Sequence, residues 1–173
     1  MVVAACSPGR DLPPLPEAQA KTYRLGPGDQ VRVITFGEEQ LTGEFRVSDT
    51  GSIDIPLIGV VPAKGLTTGE LASEITQELV AKKLFRSPSV SVEVAAYRPI
   101  FILGEVSHPG QYPYEPGMTV LSAVAVAGGF TYRAVDNRVS IVRTEGTHAV
   151  ESQAPRQAYV QPGDVVTVFE RTF

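Results

Sequence analysis

One seven-residue pattern occurs twice in the chain and limits the ways in which the chain can fold. The pattern is Pro-Gly-Asp-x-Val-x-Val, at residues 27–33 and again at residues 162–168. Proline presets φ, glycine adopts positive φ without strain, and an aspartate carboxylate can accept backbone N–H groups that a turn leaves free. Each copy therefore predicts a turn that leads into a β-strand. We interpret both copies as fold-defining turns and not as ligand sites. The glycines and aspartates of these turns are Gly28, Asp29, Gly163 and Asp164.

The segment that follows the first turn is predicted to form several short strands. Apolar and polar residues alternate there with the period of two that is typical of half-buried β-strands. The predicted strands are residues 30–36, 44–48, 52–55 and 89–94. The Asp49-Thr50-Gly51 sequence between the second and the third favours a hairpin connection, because glycine can take positive φ.

A helix is predicted between the third and the last of these strands. Thr67 and Glu70 have the spacing of a capping box, and apolar residues then recur every four positions at Leu71, Ile75 and Leu79. The other face of the helix carries charged residues, which we interpret as a solvated surface and not as catalytic carboxylates. The Ser87-Pro88 sequence favours an end to the helix.

Residues 98–173 are predicted to form a second small domain. The apolar run at 100–103 predicts a strand that is buried on both faces. Thr119 precedes an apolar segment that ends at Gly128-Gly129, which predicts a second helix with both caps. Strands at 138–143 and 165–169 complete the sheet. The chain is therefore predicted to be an α+β protein of two small mixed α/β domains, at residues 22–97 and 98–173.

Residues 1–21 are predicted to form a linker. Four prolines and the lack of periodicity favour an extended, solvated segment that contributes nothing to a core. Residues 3–7 resemble the lipobox of bacterial lipoproteins, in which the cysteine is acylated and becomes the N-terminus. Cys6 is thus the candidate lipidation site. The alternative is a free cysteine in a flexible tail, because runs of small residues before a cysteine also arise by chance.

Composition argues against several classes of function. The chain has 15 basic and 19 acidic residues, a net charge of −4, so it offers no basic field for nucleic acid. One cysteine and two histidines make a structural zinc site improbable, and we predict neither a metal nor a cofactor. No nucleophile with an adjacent base is evident, so we predict that the protein is not an enzyme. A glycosidase that uses two of the acidic residues remains an open alternative.

Several motifs, in order along residues 22–171, resemble a known family. Residues 23–29, 49–59 and 66–71 resemble the polysaccharide export domain of outer-membrane polysaccharide export proteins. Residues 104–110, 116–121 and 127–131 resemble the soluble-ligand-binding β-grasp (SLBB) domain that follows it in the same family. The resemblance implies an export domain with a mixed sheet and one amphipathic helix, followed by a β-grasp domain.

The resemblance also implies a function. Members of the family are lipoproteins whose copies form a ring in the periplasm and guide a capsule polysaccharide or exopolysaccharide from an inner-membrane copolymerase to the outer membrane. Larger members end in an amphipathic helix that builds the outer-membrane pore, whereas this chain stops at Phe173. We therefore expect a short form that needs a separate outer-membrane pore protein. The alternative is a monomeric β-grasp module that binds a soluble ligand or a glycan end.

Candidate contact residues follow from the same resemblance and from residue type. In larger members the segment that matches residues 55–59 lies near the periplasmic entrance of the ring and carries aromatic residues, whereas Ile55 and Leu57 stand here. A core role is favoured for Leu57 and Ile58 from their apolar character. Aromatic and arginine side chains dominate interface energetics, so we add six candidates for glycan or interface contacts: Tyr97, Arg98, Tyr112, Tyr114, Tyr132 and Arg133.

Overall fold

The computed structural model describes residues 8–16, 22–145 and 147–171, which form two compact units. One unit lies within Ala20–Arg98, and the other lies within Pro99–Phe173 and includes the described N-terminal residues 8–16. Each unit combines β-strands with one α-helix around its own apolar core. The predicted α+β class of two small domains is confirmed.

The first unit contains a three-stranded sheet, a two-stranded ribbon and one helix. In chain order the elements are β1 (Gln30–Thr35), β2 (Gly43–Arg46), β3 (Ser52–Ile55), β4 (Gly59–Pro62), α1 (Thr68–Ala81) and β5 (Val90–Ala96). The sheet has the antiparallel order β2-β1-β5, and β3 forms a separate two-stranded ribbon with β4. The buried face of α1 presents the predicted stripe of Leu71, Ile75 and Leu79 to the core.

The predicted hairpin between β2 and β3 is wrong, although the turn itself forms. Val47 donates its N–H to the Asp29 carbonyl at 2.8 Å and accepts the Gly28 N–H at 2.9 Å, so the end of β2 pairs with the turn that precedes β1. The chain then turns at Gly51 and leaves the sheet. The carbonyl of Gly51 accepts the N–H of Ala63 at 2.9 Å, which ties the turn to the far end of the ribbon.

The capping box of α1 has both of its reciprocal hydrogen bonds. The Thr67 hydroxyl accepts the Glu70 N–H at 3.2 Å, and the Glu70 carboxylate accepts the Thr67 N–H at 2.8 Å. The second bond favours the charged form of Glu70, and the pKa of its carboxyl is lowered mainly for this reason. The helix therefore begins where the sequence predicts it.

The second unit is built on a five-stranded sheet. In chain order its elements are β6 (Ile100–Gly104), β7 (Gly110–Tyr112), α2 (Val120–Val126), β8 (Arg138–Glu145), β9 (His148–Pro155) and β10 (Val165–Val168). The strand order is β7-β6-β10-β8-β9, with β6 and β10 parallel and the other neighbours antiparallel. Val120, Ala123 and Val124 of α2 pack into the core on one face of this sheet.

The prediction that residues 100–103 are buried on both faces is wrong. Ile100 and Ile102 are buried in the core that contains α2, whereas Phe101 is 40% exposed and Leu103 is 45% exposed. Successive side chains of a strand point to opposite faces, so one covering helix can bury only alternate residues. An uninterrupted apolar run cannot by itself distinguish this half-open strand from a fully covered one.

The N-terminal residues 8–16 are not the isolated linker that we expected. Leu15 packs against the core of the second unit. Its N–H donates to the Gln153 carbonyl at 2.7 Å, and the Gln153 N–H donates to the Pro13 carbonyl at 2.7 Å. Strand β9 lies at the edge of the sheet, and an edge strand has backbone groups to satisfy. The two bonds use the Leu15 N–H and the Pro13 carbonyl, so the pairing with β9 needs no N–H from residue 14. Proline is therefore tolerated at this position.

Candidate functional site

The first predicted turn holds a buried carboxylate with a full set of donors. Asp29 is completely buried. Its Oδ2 accepts the Gly26 N–H at 2.8 Å and the Tyr23 hydroxyl at 2.6 Å, and its Oδ1 accepts the Arg98 N–H at 2.8 Å. The Arg98 guanidinium lies 3.5 Å from Oδ2. Buried charges need a counter-charge and hydrogen bonds, and Asp29 has both.

Two of the predicted contact residues belong to this cluster. The ring of Tyr97 meets the ring of Tyr23 edge-on with 5.0 Å between centroids, and the Arg98 guanidinium lies 5.9 Å from the centroid of Tyr23. Both Tyr97 and Arg98 are half-buried. Burial and the hydrogen bond to Asp29 raise the pKa of the Tyr23 phenol above its ordinary value, so it stays a hydrogen-bond donor. The cluster therefore has the chemistry of a structural lock.

The second turn repeats the same arrangement in the other unit. Asp164 is buried, and its Oδ2 accepts the Gln161 N–H at 2.7 Å. Arg143 on β8 binds the carboxylate with both arms, Nε to Oδ1 at 3.0 Å and Nη2 to Oδ2 at 2.7 Å. Gly28 and Gly163 take φ values of +93° and +86°, a region that favours glycine. Sequence reasoning identified both aspartates but missed their partners, because pairing across strands leaves no local signal.

The segment at 55–59 forms the tip of the β3–β4 hairpin, and its apolar residues differ in burial. Ile55 is only 1% exposed and lies in the core, which removes it from the exposed contacts. Ile58 is also buried, as a core role requires. Leu57 instead is 60% exposed, so the core role favoured for it is wrong. The alternation of the ribbon and the bend at its tip direct these side chains to opposite sides.

Leu57 also has an unusual backbone conformation. Its φ is +70°, in the left-handed region that costs a residue with a Cβ roughly 1–2 kcal/mol. The Lys82 ammonium at the end of α1 donates to the neighbouring Ile58 carbonyl at 2.5 Å and ties the hairpin tip to the helix. A large apolar side chain is thus held in solvent by a strained but well-supported turn. Such strain is a reason to look for function at this position.

The remaining aromatic candidates lie in the second unit and are not gathered into one site. Tyr112 and Tyr114 are half-buried against its core, and the Tyr112 hydroxyl donates to the His108 carbonyl at 2.5 Å. Arg133 pairs with Glu170 on the surface. Tyr132 is 88% exposed and makes no hydrogen bond or ring contact with any described residue. Of this group, Tyr132 has the side chain that is most accessible to a partner.

Three further observations concern anchoring and cofactors. Cys6, the predicted lipidation site, lies outside the described residues. Neither of the two helices in the described ranges has both the length and the apolar character that a membrane crossing needs. Within residues 8–16, 22–145 and 147–171, no three histidine, cysteine or acidic side chains come together in a way that could hold a metal ion.

Comparison with known proteins finds one family model that matches each of the two units. Residues 17–95 match the family model described as polysaccharide biosynthesis/export protein, and residues 99–150 match the model of the SLBB domain. The two matches confirm the resemblance that the sequence motifs predicted. They follow the order in which those motifs occur.

Two curated relatives extend this result. The exopolysaccharide production protein ExoF of Rhizobium meliloti (strain 1021) is 42% identical over 133 residues, which are 69% of this chain and 31% of the relative. The EPS I polysaccharide export outer membrane protein EpsA of Ralstonia nicotianae is 28% identical over 203 aligned residues, which cover 98% of this chain and 52% of the relative. The chain thus spans at most about half the length of these relatives.

The Asp29 cluster yields a direct stability test. In an Asp29→Asn variant the amide nitrogen faces donors and the charge opposite Arg98 is lost, so we expect the free energy of unfolding to fall by about 3 kcal/mol. Denaturant titration of the full chain, followed by circular dichroism, measures the change. Asp54→Asn is the matched control, because Asp54 is exposed on β3 and should shift stability by less than about 0.5 kcal/mol. Equal midpoints for the two variants would contradict the assignment.

Proposed function

Since the chain is a member of the polysaccharide export family, with one export domain and one SLBB domain, we propose that it is a periplasmic ring component that guides exopolysaccharide or capsule polymer to the outer membrane. The observation that carries this proposal is the presence of both domains in the family order, at residues 17–95 and 99–150. An inner-membrane copolymerase and an outer-membrane pore protein are the partners that we propose.

A guiding role is consistent with how the chain uses its buried charges. The carboxylates of Asp29 and Asp164 are each occupied by backbone N–H groups and an arginine, so neither is free to act as a base or nucleophile. The side chains of Leu57 and Tyr132 instead present apolar or aromatic surface from exposed turns. These properties support transport without covalent chemistry.

Ring formation needs a head-to-tail interface that closes at a fixed number of copies. We expect the detergent-solubilised full chain to form one discrete oligomer, with no ladder of sizes, in native mass spectrometry and light scattering. A protein that stays strictly monomeric at high concentration would contradict the ring. That result would favour the monomeric module that binds a soluble ligand or a glycan end.

We place the hairpin tip at the polymer path, because Leu57 keeps an apolar side chain in solvent at the expense of backbone strain. Glycine accepts positive φ without this strain. A Leu57→Gly variant should therefore be more stable by about 1 kcal/mol, and yet export polymer severalfold less well, when it replaces the wild-type chain in cells that lack it. Secreted and periplasmic polymer are measured together, and polymer should accumulate in the periplasm as secretion falls.

The control for this variant is Val60→Ala on β4. Val60 is also exposed close to the hairpin tip, but it is not among the residues with positive φ. Its truncation should leave export unchanged. If Leu57→Gly exports as well as the wild type, Leu57 does not contact the polymer. If the wild-type chain itself does not restore export, the proposed function is wrong.

We further propose that Cys6 carries the lipid anchor. Cys6 precedes Pro8 by two residues, a reach of roughly 7 Å, and the Pro8 carbonyl accepts the Arg138 Nε–H at 3.0 Å. The anchor would therefore hold the second unit, to which this segment is docked, within a short distance of the membrane. A Cys6→Ser variant, expressed from the native gene, should lose labelled fatty acid and leave the outer-membrane fraction. Ser7→Ala is the matched control, and a Cys6→Ser protein that still fractionates with the outer membrane would refute the anchor.

A further inference from the structure

A cleft at one end of the first unit combines aromatic, basic and hydroxyl side chains. It has a volume of about 240 Å³. The residues that matter for its chemistry are Phe36, Glu38, Phe85, Arg86, Ser87 and Ser89. The motifs that identify the export domain do not include any of them, and none is used by the Asp29 cluster or by the hairpin tip.

Phe36 provides an accessible aromatic platform. It follows β1 directly, and its side chain is 85% exposed. Its N–H donates to the Ser89 carbonyl at 3.0 Å, so the backbone below the ring is fixed to the residue that precedes β5. Phe85 lines the same cleft and is half-buried. A large exposed ring on a fixed backbone is suited to stacking against a flat apolar face.

Arg86 provides a guanidinium that forms no ion pair with any described residue of the unit. Arg24, Arg32 and Arg98 each have a carboxylate partner. Arg86 is exposed and makes no ion pair or hydrogen bond within residues 8–16, 22–145 and 147–171. Lys83 lies beside it and lines an adjoining groove together with Phe85 and Arg86. Lys83 and Arg86 thus bring two positive charges to this region, against the one carboxylate of Glu38 that lines the cleft.

We propose that this cleft binds an acidic glycan, with one sugar ring stacked on Phe36 and the carboxylate of that sugar on Arg86. This inference rests on the proposed export function, which supplies the class of ligand. A guanidinium binds a carboxylate with two parallel hydrogen bonds. The hydroxyls of Ser87 and Ser89 and the carboxylate of Glu38 can exchange hydrogen bonds with sugar hydroxyls.

Size and charge favour a glycan over other anionic partners. A volume of 240 Å³ lies below the roughly 300–1,000 Å³ of sites for drug-sized ligands, and it suits one unit of a longer polymer. The Glu38 carboxylate lines the same cleft and repels any anion, so a partner that offers only negative charge is disfavoured there. The same carboxylate accepts hydrogen bonds from neutral hydroxyl groups, which a glycan has in abundance.

The test is a titration of the full chain with two hexasaccharides that differ in charge, a galacturonic acid hexamer and maltohexaose. Backbone amide shifts report binding, and we expect the acidic hexamer to move the signals of residues 35–38 and 85–89. An Arg86→Gln variant should weaken binding of the acidic hexamer about tenfold, because it removes one charge-assisted pair, and should leave maltohexaose unchanged. A Phe36→Ala variant should weaken binding of both.

Two matched controls carry the same chemical changes elsewhere. Arg46→Gln alters an exposed arginine on β2 that has no ion pair among the described residues, and Tyr159→Ala removes an exposed aromatic ring of the second unit that belongs to none of the candidate contacts. Neither should change the affinity. The proposal is overturned if the wild type does not bind the acidic hexamer, or if Arg86→Gln and Arg46→Gln behave alike.

Competing ligands and the export function are tested separately. Vesicles that contain phosphatidylglycerol and a poly-glutamate peptide are titrated in parallel. If either binds through Phe36 and Arg86 while the acidic hexamer does not, the cleft is a membrane or peptide site. In cells, a Phe36→Ala/Arg86→Gln double variant should secrete severalfold less polymer than the wild type. Failure of the wild type to restore secretion would refute the export function, whereas equal secretion by both would refute only the cleft.

Discussion

The first unit depends on the burial of one carboxylate. Asp29 connects the residues that precede β1 with the residues that follow β5, because it accepts hydrogen bonds from Tyr23, Gly26 and Arg98. Burying an unpaired charge costs several kcal/mol, so the carboxylate is tolerable only when all these donors are in place. The requirement makes the ends of the unit interdependent. The second unit uses the same solution, in which Asp164 takes the Gln161 N–H and the two arms of Arg143.

Because the buried acids are fully paired, the exposed side chains are the groups left to contact a partner. A protein that conducts a polymer needs a rigid frame with accessible side chains, and it needs no activated group that would bind the polymer tightly. The frame is fixed by buried acids, while Leu57, Phe36 and Tyr132 project into solvent from defined backbone positions. Weak contacts repeated on several copies can retain a moving chain, since their effects combine through high local concentration. The exposed apolar residues are therefore consistent with guidance.

The helices, strands and turns could be predicted from the sequence, but the contacts between distant segments could not. Period-two alternation placed β1 and β3, and the capping box placed the start of α1, because these signals lie within a few residues. The pairing of β2 with the turn at Gly28, and that of Arg143 with Asp164, depends on contacts between distant segments. Leu57 was misassigned because hydrophobicity alone favours burial, whereas its positive φ is set by the geometry of the hairpin. The exposed cleft at Phe36 and Arg86 likewise has no sequence motif.

The chain path gives the N-terminal segment a mechanical role in the proposed anchored state. Residues 8–16 pack with the second unit, so the first unit is inserted in sequence between two parts of the second. Tension from a lipid on Cys6 would first load the hydrogen bond between Arg138 and the Pro8 carbonyl, and then the two hydrogen bonds at Gln153 and the packing of Leu15. The first unit would bear that load only after these contacts break. If Cys6 carries the proposed anchor, the segment would separate anchoring from the unit that carries the hairpin tip and the cleft.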